Sequence, residues 1–267
     1  MLPLYDENPV SRPPIVTWLI VGLCIAAFLV WQPSPFSDTV EDTEFNLQWA
    51  AIPCEVAEGR PLSVSEVVAT YQAGNEEACG LGVPRPAFDP DKLVYPSILI
   101  AAFLHAGLFH LLGNLLFLWV FGNNVEDKLG HVLFALFYLA GAVVATLAHV
   151  VVNPSSTVPL IGASGAIAAV MGAYLIWFPN ARVRTLIFIL PVTLRAVWVL
   201  GFWFLFQFFT DPNSGVAWMA HVGGFVFGML VALAVRAFGG AAPAPSPPPG
   251  RGYGGWRPPP RRPYDRY

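Results

Sequence analysis

Long apolar runs are the feature that most restricts how this chain can fold. A helix needs about 20 consecutive apolar residues to cross a bilayer. Runs of this length or slightly shorter cover residues 15–31, 108–122, 132–152, 160–178, 196–209 and 216–238. Hydrophobic residues make up 55% of the 267 residues and charged residues only 12%, which is typical of membrane proteins and not of soluble domains. We therefore predict an all-α integral membrane protein with six transmembrane helices.

The predicted spans divide the chain into a leader, a membrane domain and a tail. Residues 1–14 form a polar cytoplasmic leader, and residues 15–238 contain the six spans. Residues 33–106 form a large extracytoplasmic loop between the first two spans. Residues 239–267 are rich in Pro, Gly and Arg, so we expect a disordered cytoplasmic tail.

The basic residues indicate how the chain is oriented. If there are six spans, eleven of the 14 lysines and arginines lie on the same side as the N-terminus. Basic residues favour the cytoplasmic side of a membrane, so both termini are expected there, in a plasma or inner membrane. Arg182, Arg184, Pro191 and Arg195 interrupt the apolar pattern and predict an interfacial hairpin before a short fifth span.

Polar residues stand near the beginnings of the three even-numbered spans. Ser164 lies in a Gly-Ala-Ser-Gly sequence in span four, His221 in span six, and His110 and Asn114 in span two. These helices all run inward from the outer face, so the four side chains share one depth. Polar groups inside a bilayer are costly, and their alignment favours a common site over isolated polar residues.

The types of these residues indicate nucleophilic catalysis. A serine hydroxyl needs a base to take its proton, and a neutral imidazole suits that role, so Ser164 is the candidate nucleophile and His221 the candidate base. The only acidic residue between Asp127 and His221 is Asp211, in the short loop before span six. The sequence therefore favours a Ser-His dyad over a triad.

Three donors are available to stabilise an oxyanion. The backbone N–H of Ser164, in the first turn of its helix, has no intrahelical acceptor. His110 and Asn114 are four residues apart, so they project from one helical face. The alternative interpretation of span four is a small-residue packing face without chemistry, and span six has a similar Gly-x-x-x-Gly pattern. We assign structural support to five residues: His105, Gly162, Gly165, Gly224 and Gly228.

Metal catalysis is poorly supported by the sequence. The histidines lack the HExxH spacing of zinc proteases, and the spans carry no inward carboxylate, so we expect no metal and no other cofactor. His131 and His149 lie at span ends, where an imidazole needs no special role. Cys54 and Cys79 share the outer loop and can form a disulfide if that side is oxidising, but spacing alone leaves the pairing open.

Three motifs together resemble the signatures of the rhomboid intramembrane serine proteases. The resemblance covers roughly residues 95–236 and extends to the order of the motifs and the six-span layout. The motifs are His110-x-x-x-Asn114, Gly162-x-Ser164-Gly165 and Ala220-His221-x-x-Gly224-x-x-x-Gly228.

The resemblance implies an activity as well as a fold. A rhomboid-like bundle would cleave the transmembrane segments of single-span or multi-span proteins near the outer face, with the lipid bilayer as its surroundings and no nucleic acid partner. Ser164 would be the nucleophile and His221 the general base. His110, Asn114 and the Ser164 amide would stabilise the oxyanion.

Two positions depart from the rhomboid pattern. Ala168 stands where rhomboids commonly carry an aromatic residue under the catalytic histidine, so His221 is expected to be less firmly oriented. The Trp-Arg pair often found in the outer loop is missing, because Trp49 precedes Ala50. The aromatic residues of span five fit either a lateral gate or a lipid-facing wall.

Two other functions stay open at this point. A proteolytically silent rhomboid-like protein would bind membrane helices without cutting them, although such proteins are expected to lose the serine or the histidine. A transporter is the other alternative, since His and Asn inside a membrane can line an ion path. The sequence has no visible inverted repeat and no intramembrane carboxylate to support transport.

Overall fold

The computed structural model describes residues 1–33, 40–81, 86–211 and 215–238. The predicted disorder of residues 239–267 falls outside this part of the chain. The elements in chain order are β1 (Leu2–Asp6), α1 (Ile15–Ala26) with a π-helical continuation (Ala27–Trp31), α2 (Val40–Trp49), α3 (Pro53–Glu58), α4 (Val64–Ala73), α5 (Val94–Ala101), α6 (Leu108–Leu129), α7 (His131–Val152), α8 (Ser164–Trp177), β2 (Arg182–Ile187), β3 (Leu190–Arg195), α9 (Ala196–Gln207) and α10 (Trp218–Phe238).

The apolar runs of the sequence form helices. By length and composition, α6, α7 and α10 can cross a membrane, whereas Ile15–Trp31, α8 and α9 are apolar but shorter. The run predicted to begin at residue 160 becomes helical only at Ser164. Its first residues are extended instead, because the N–H of Leu160 donates to Ala51 O and that of Gly162 donates to Ala101 O, at 2.7 and 2.9 Å.

Helix α8 lies at the centre of the bundle, between α6, α7 and α10. All residues from Gly165 to Tyr174 are buried. A Cβ atom at Gly224 would overlap the carbonyl oxygen of Gly165, and one at Gly228 would overlap that of Ala169. The backbones of α8 and α10 are therefore in direct contact, which side chains larger than hydrogen would prevent.

The prediction of an all-α chain was wrong in one respect. A three-stranded antiparallel sheet has the order β1-β2-β3, with Leu2 opposite Leu186 and Asp6 opposite Val183. Strands β2 and β3 form a hairpin in the segment where the basic residues predicted one. Strand β1 was missed because its partner lies far away in the sequence, so its strand conformation depends on a tertiary contact and not on local pattern.

In its described residues, the segment between α1 and α6 contains four short helices, for which the sequence predicted no secondary structure. Helices α3 and α5 pack on α7, with Val56, Ile98 and Val150 in a shared apolar cluster. Lys92 is buried there and pairs with Glu55 at 2.5 Å. These contacts fix the loop against the end of the bundle at which α6, α8 and α10 begin.

Candidate active site

The side chains of Ser164 and His221 meet at this end of the bundle. Ser164 is the first residue of α8, and His221 lies in the first turn of α10. The Oγ atom of Ser164 is 2.7 Å from Nε2 of His221. A neutral imidazole can accept the hydroxyl proton at this distance. The two residues are 57 positions apart in the sequence, and the glycine contact between α8 and α10 brings them together.

A cavity of about 590 Å³ opens over this pair. Its volume lies in the range of cavities that bind small molecules. Residues from six helices line it. Among them are Ala101 of α5, Asn114 and Phe117 of α6, Ala145 and Thr146 of α7, Met171 of α8, Trp203 of α9 and Ala220 of α10.

His110 lines the same cavity as Ser164. A Cβ atom at Gly162 would be 2.8 Å from Cε1 and 2.9 Å from Nε2 of His110, so the ring packs directly on this glycine. Gly162 also has a φ of 126°, a conformation that residues with a side chain rarely adopt. The N–H of Ala106 donates to Nδ1 of His110 at 3.3 Å. Nδ1 is then the acceptor, and the ring proton lies on Nε2, on the Gly162 side.

Asn114 lies one turn further along α6 and is buried. Its Nδ2 donates to the backbone oxygen of His110 at 3.0 Å. An amide nitrogen carries two hydrogens, so this bond fixes the side chain and leaves a second hydrogen available as a donor.

His105 packs against His110 and is not among the residues that line the cavity. Gln32 forms two hydrogen bonds with the His105 backbone, donating to its oxygen at 2.8 Å and accepting from its N–H at 3.0 Å. The His105 ring packs edge-on against His110, with ring centroids 5.2 Å apart. Burial and the neighbouring His110 lower the pKa of His105 to about 3, so its ring is neutral at physiological pH. The loop before α6 therefore presents His110 in a fixed position.

The structure adds one residue that the sequence analysis missed, Gln207 of α9. Its Oε1 is 2.8 Å from Nδ1 of His221, and its Nε2 donates to Trp203 O at 3.0 Å. The Trp203 ring lies 5.7 Å from the His221 ring, at an angle of 42°. Helix α9 thus contacts His221 through both of these side chains. The signal that could have found Gln207 is a single amide in an otherwise apolar helix.

Within the described part of the chain, one group of residues has the spacing of metal ligands, and it lies between α1 and α6. Ligand atoms of Cys54, Glu66 and Cys79 are all within 4.8 Å of one another. The two cysteines form a disulfide, and Glu66 pairs with Arg60 at 2.7 Å. The two sulfur atoms are thus bonded to each other, and the carboxylate is paired with an arginine.

Comparison with known proteins identifies the family. The model of the Rhomboid domain matches residues 94–238, more than half of the chain, and this range includes α6 to α10. The chain belongs to the rhomboid family. The resemblance drawn from the three motifs is confirmed, and this rhomboid is a predominantly helical membrane protein.

This rhomboid is similar to proteins from bacteria, animals and fungi. It is 32% identical over 132 residues to "Rhomboid protease GluP" of Bacillus subtilis, covering 49% of this chain and 24% of the relative. It is 34% identical over 141 residues to "Rhomboid-related protein 2" of Mus musculus, covering 49% and 45%. It is 31% identical over 146 residues to "Rhomboid protein 1, mitochondrial" of Saccharomyces cerevisiae, covering 50% and 40%. In each case the match spans less than half of the relative.

Proposed function

We propose that this rhomboid is a serine endopeptidase that cleaves transmembrane segments of other membrane proteins. The observation that carries the proposal is the 2.7 Å contact between Ser164 Oγ and His221 Nε2 at a cavity large enough for a peptide segment. The relative from Bacillus subtilis, which is named a protease, supports it.

The reaction begins with attack by Ser164 on the carbonyl carbon of the scissile peptide bond. As the Oγ–C bond forms, the hydroxyl proton moves to Nε2 of His221 and the carbonyl π electrons move to the oxygen. The imidazolium then gives this proton to the leaving amine, and the C–N bond breaks to leave an acyl-serine. Water attacks the ester, with His221 again taking and returning a proton, and releases the new carboxyl end.

The oxyanion is stabilised by donors on two helices. The N–H of Ser164 is at the start of α8, where it has no acceptor within the helix and where the helix dipole favours negative charge. His110 of α6 offers its Nε2–H, and Asn114 offers its second amide hydrogen. Preorganised donors of this kind are each worth about 100-fold to 1,000-fold in turnover.

The cleavage site lies near the outer face of the membrane. In our proposal all six apolar helices cross the bilayer, with both termini in the cytoplasm and the beginnings of α6, α8 and α10 outside. The bias of basic residues toward one side supports this orientation. A peptide bond in an intact helix is shielded by its hydrogen bonds, so the substrate helix must unwind locally before it reaches Ser164.

The proposal is tested with purified protein in liposomes and a labelled single-span substrate. Ser164→Ala and His221→Ala should abolish the product, because each removes an atom that takes part in bond formation or proton transfer. Ser155→Ala, at an exposed position between α7 and α8, is the matched control and should cleave at the wild-type rate. A fluorophosphonate should label the wild type at Ser164 and should not label His221→Ala. Undiminished product from Ser164→Ala would rule out the proposed nucleophile.

A further inference from the structure

We infer that Gln207 is a positioning residue for the base: it holds a proton on Nδ1 of His221 and so keeps Nε2 free to accept the proton of Ser164. This inference rests on the proposed function. The neutral amide of Gln207 takes the place that a carboxylate has in a catalytic triad. Helix α9, which carries it, contributes no other group to the proposed reaction.

A chain of two hydrogen bonds connects His221 through Gln207 to the backbone of Trp203. The carbonyl oxygen of Trp203 can only accept, so the group of Gln207 that lies 3.0 Å from it must be the NH₂. The amide of Gln207 is thereby oriented with Oε1 toward His221. A reversed amide would place two carbonyl oxygens against each other.

The orientation of the amide then determines the tautomer of the imidazole. Oε1 of Gln207 is an acceptor 2.8 Å from Nδ1 of His221, so Nδ1 carries the hydrogen. A neutral ring has one hydrogen, and Nε2 is left with its lone pair toward the Ser164 hydroxyl at 2.7 Å. In the other tautomer Nε2–H would point at Ser164 and could not take its proton.

The surroundings of Gln207 explain why an amide is suited to this place. Gln207 is only 8% exposed and stands at the end of an otherwise apolar helix. An ionised carboxylate in such a position would carry a large desolvation cost, whereas an amide provides an acceptor at a much smaller cost. An amide also cannot take the proton from Nδ1, so the tautomer is stable.

Both contacts that α9 makes with His221 depend on how α9 packs against α10. Phe204 stacks on Phe225 with ring centroids 4.6 Å apart, and Trp203 stacks on the same ring at 6.0 Å. Gln207 and Trp203 are one helical turn apart, so a displacement of α9 from α10 would remove both of their contacts with His221 at once. The base is competent only while α9 is in place.

The test compares two substitutions at one position. Gln207→Leu has a similar volume and no acceptor, so cleavage at substrate saturation and fluorophosphonate labelling of Ser164 should both fall about tenfold, while KM changes little. Gln207→Glu keeps an acceptor oxygen and adds a negative charge that stabilises the imidazolium. Its activity should exceed that of the Leu variant, and the acidic limb of its pH–rate profile should move about one pH unit upward relative to wild type.

The control lies in the same segment of the chain. The hydroxyl of Thr210 donates to Phe206 O at 3.4 Å, as the amide of Gln207 donates to Trp203 O, but the Thr210 bond does not involve His221. Thr210→Val removes this hydrogen bond. It should leave the rate and the pH profile unchanged. Thermal unfolding of every variant shows whether each remains folded.

The outcomes separate this inference from the proposed function. A wild type that neither cleaves nor takes the label would contradict the protease proposal itself. An active wild type with an equally active Gln207→Leu would overturn only the role of Gln207. A Glu variant with the wild-type pH profile would show that Gln207 acts by packing alone, which would also overturn the inference.

Discussion

Among single residues, Glu66 shows how the loop between α1 and α6 is held together. Its carboxylate accepts hydrogen bonds from both terminal nitrogens of Arg60, at 2.8 and 2.7 Å, and from the N–H groups of Ser63 and Gly80, at 2.7 and 2.6 Å. Burial disfavours the charged form, but these donors outweigh it and lower the pKa of Glu66 from 4.5 to about 2. One side chain thus joins α4 to the segments on both sides of it.

This carboxylate predicts how the stability of the loop depends on pH. A carboxyl group whose pKa is lower in the folded state stabilises the fold above its unfolded pKa, and that stabilisation is lost as the pH falls through the folded value. The loop should therefore become easier to unfold as the pH falls from 4.5 to about 2. The measurement is proteolysis of the loop by an acid-stable protease at a series of pH values in this range.

Two glutamine variants isolate the effect of Glu66. Glu66→Gln should be cleaved faster than wild type at the upper end of this pH range, and its cleavage rate should depend less on pH. Glu77→Gln, at an exposed position in the same loop, should retain the wild-type dependence. An unchanged pH dependence in Glu66→Gln would contradict the assignment.

At the level of whole elements, the pair α8 and α10 sets the geometry of the site. A Cβ atom at Gly228 would lie against the backbone carbonyl of Ala169, which cannot move aside as a flexible side chain can. Gly228→Ala should therefore separate the helices and lower the free energy of unfolding by about 1–3 kcal/mol, as measured in detergent. In the protease assay, it should also weaken activity by drawing His221 away from Ser164.

A second glycine supplies the control for this prediction. Gly22 lies in α1, and a Cβ atom added there would have no other atom within 4 Å. Gly22→Ala should be neutral, or stabilising by up to about 1 kcal/mol, because alanine favours helix more than glycine does. Equal effects of the two substitutions would show that the contact between α8 and α10 is not tight.

The elements also show what the sequence could and could not predict. The apolar runs predicted the helices well, because burial in a hydrocarbon-length segment leaves a strong local pattern. The motifs drew attention to Ser164 and His221, the two side chains that meet. Gln207 and strand β1 were missed because each depends on a partner distant in the sequence, His221 for one and β2 for the other. The roles of the site residues and the six crossings stay predictions.

For the whole molecule, the proposed topology predicts which segments face each side of the membrane. Gln72 in the outer loop and Arg182 in the hairpin are both exposed, and α6, α7 and α8 separate them in the sequence. If each of these helices crosses the bilayer, the two residues lie on opposite sides.

Cysteine labelling in intact cells measures this arrangement. Cys24→Ala removes the buried free thiol, and the disulfide leaves Cys54 and Cys79 unreactive. In that background Gln72→Cys should react with a membrane-impermeant maleimide, whereas Arg182→Cys should react only after the cells are permeabilised. Reaction of both, or of Arg182→Cys alone, would contradict the six-span orientation.

The meeting of α8 and α10 through main-chain atoms has a consequence for how new specificities can arise. Because peptide groups fix the spacing of the two helices, that spacing does not depend on the side chains of the cavity wall. In the proposed protease, substitutions at Thr146 or Met171 would reshape the space offered to a peptide and leave the contact between the helices in place. The substrate preference of such a protease can therefore change one wall residue at a time while the Ser164–His221 pair is preserved.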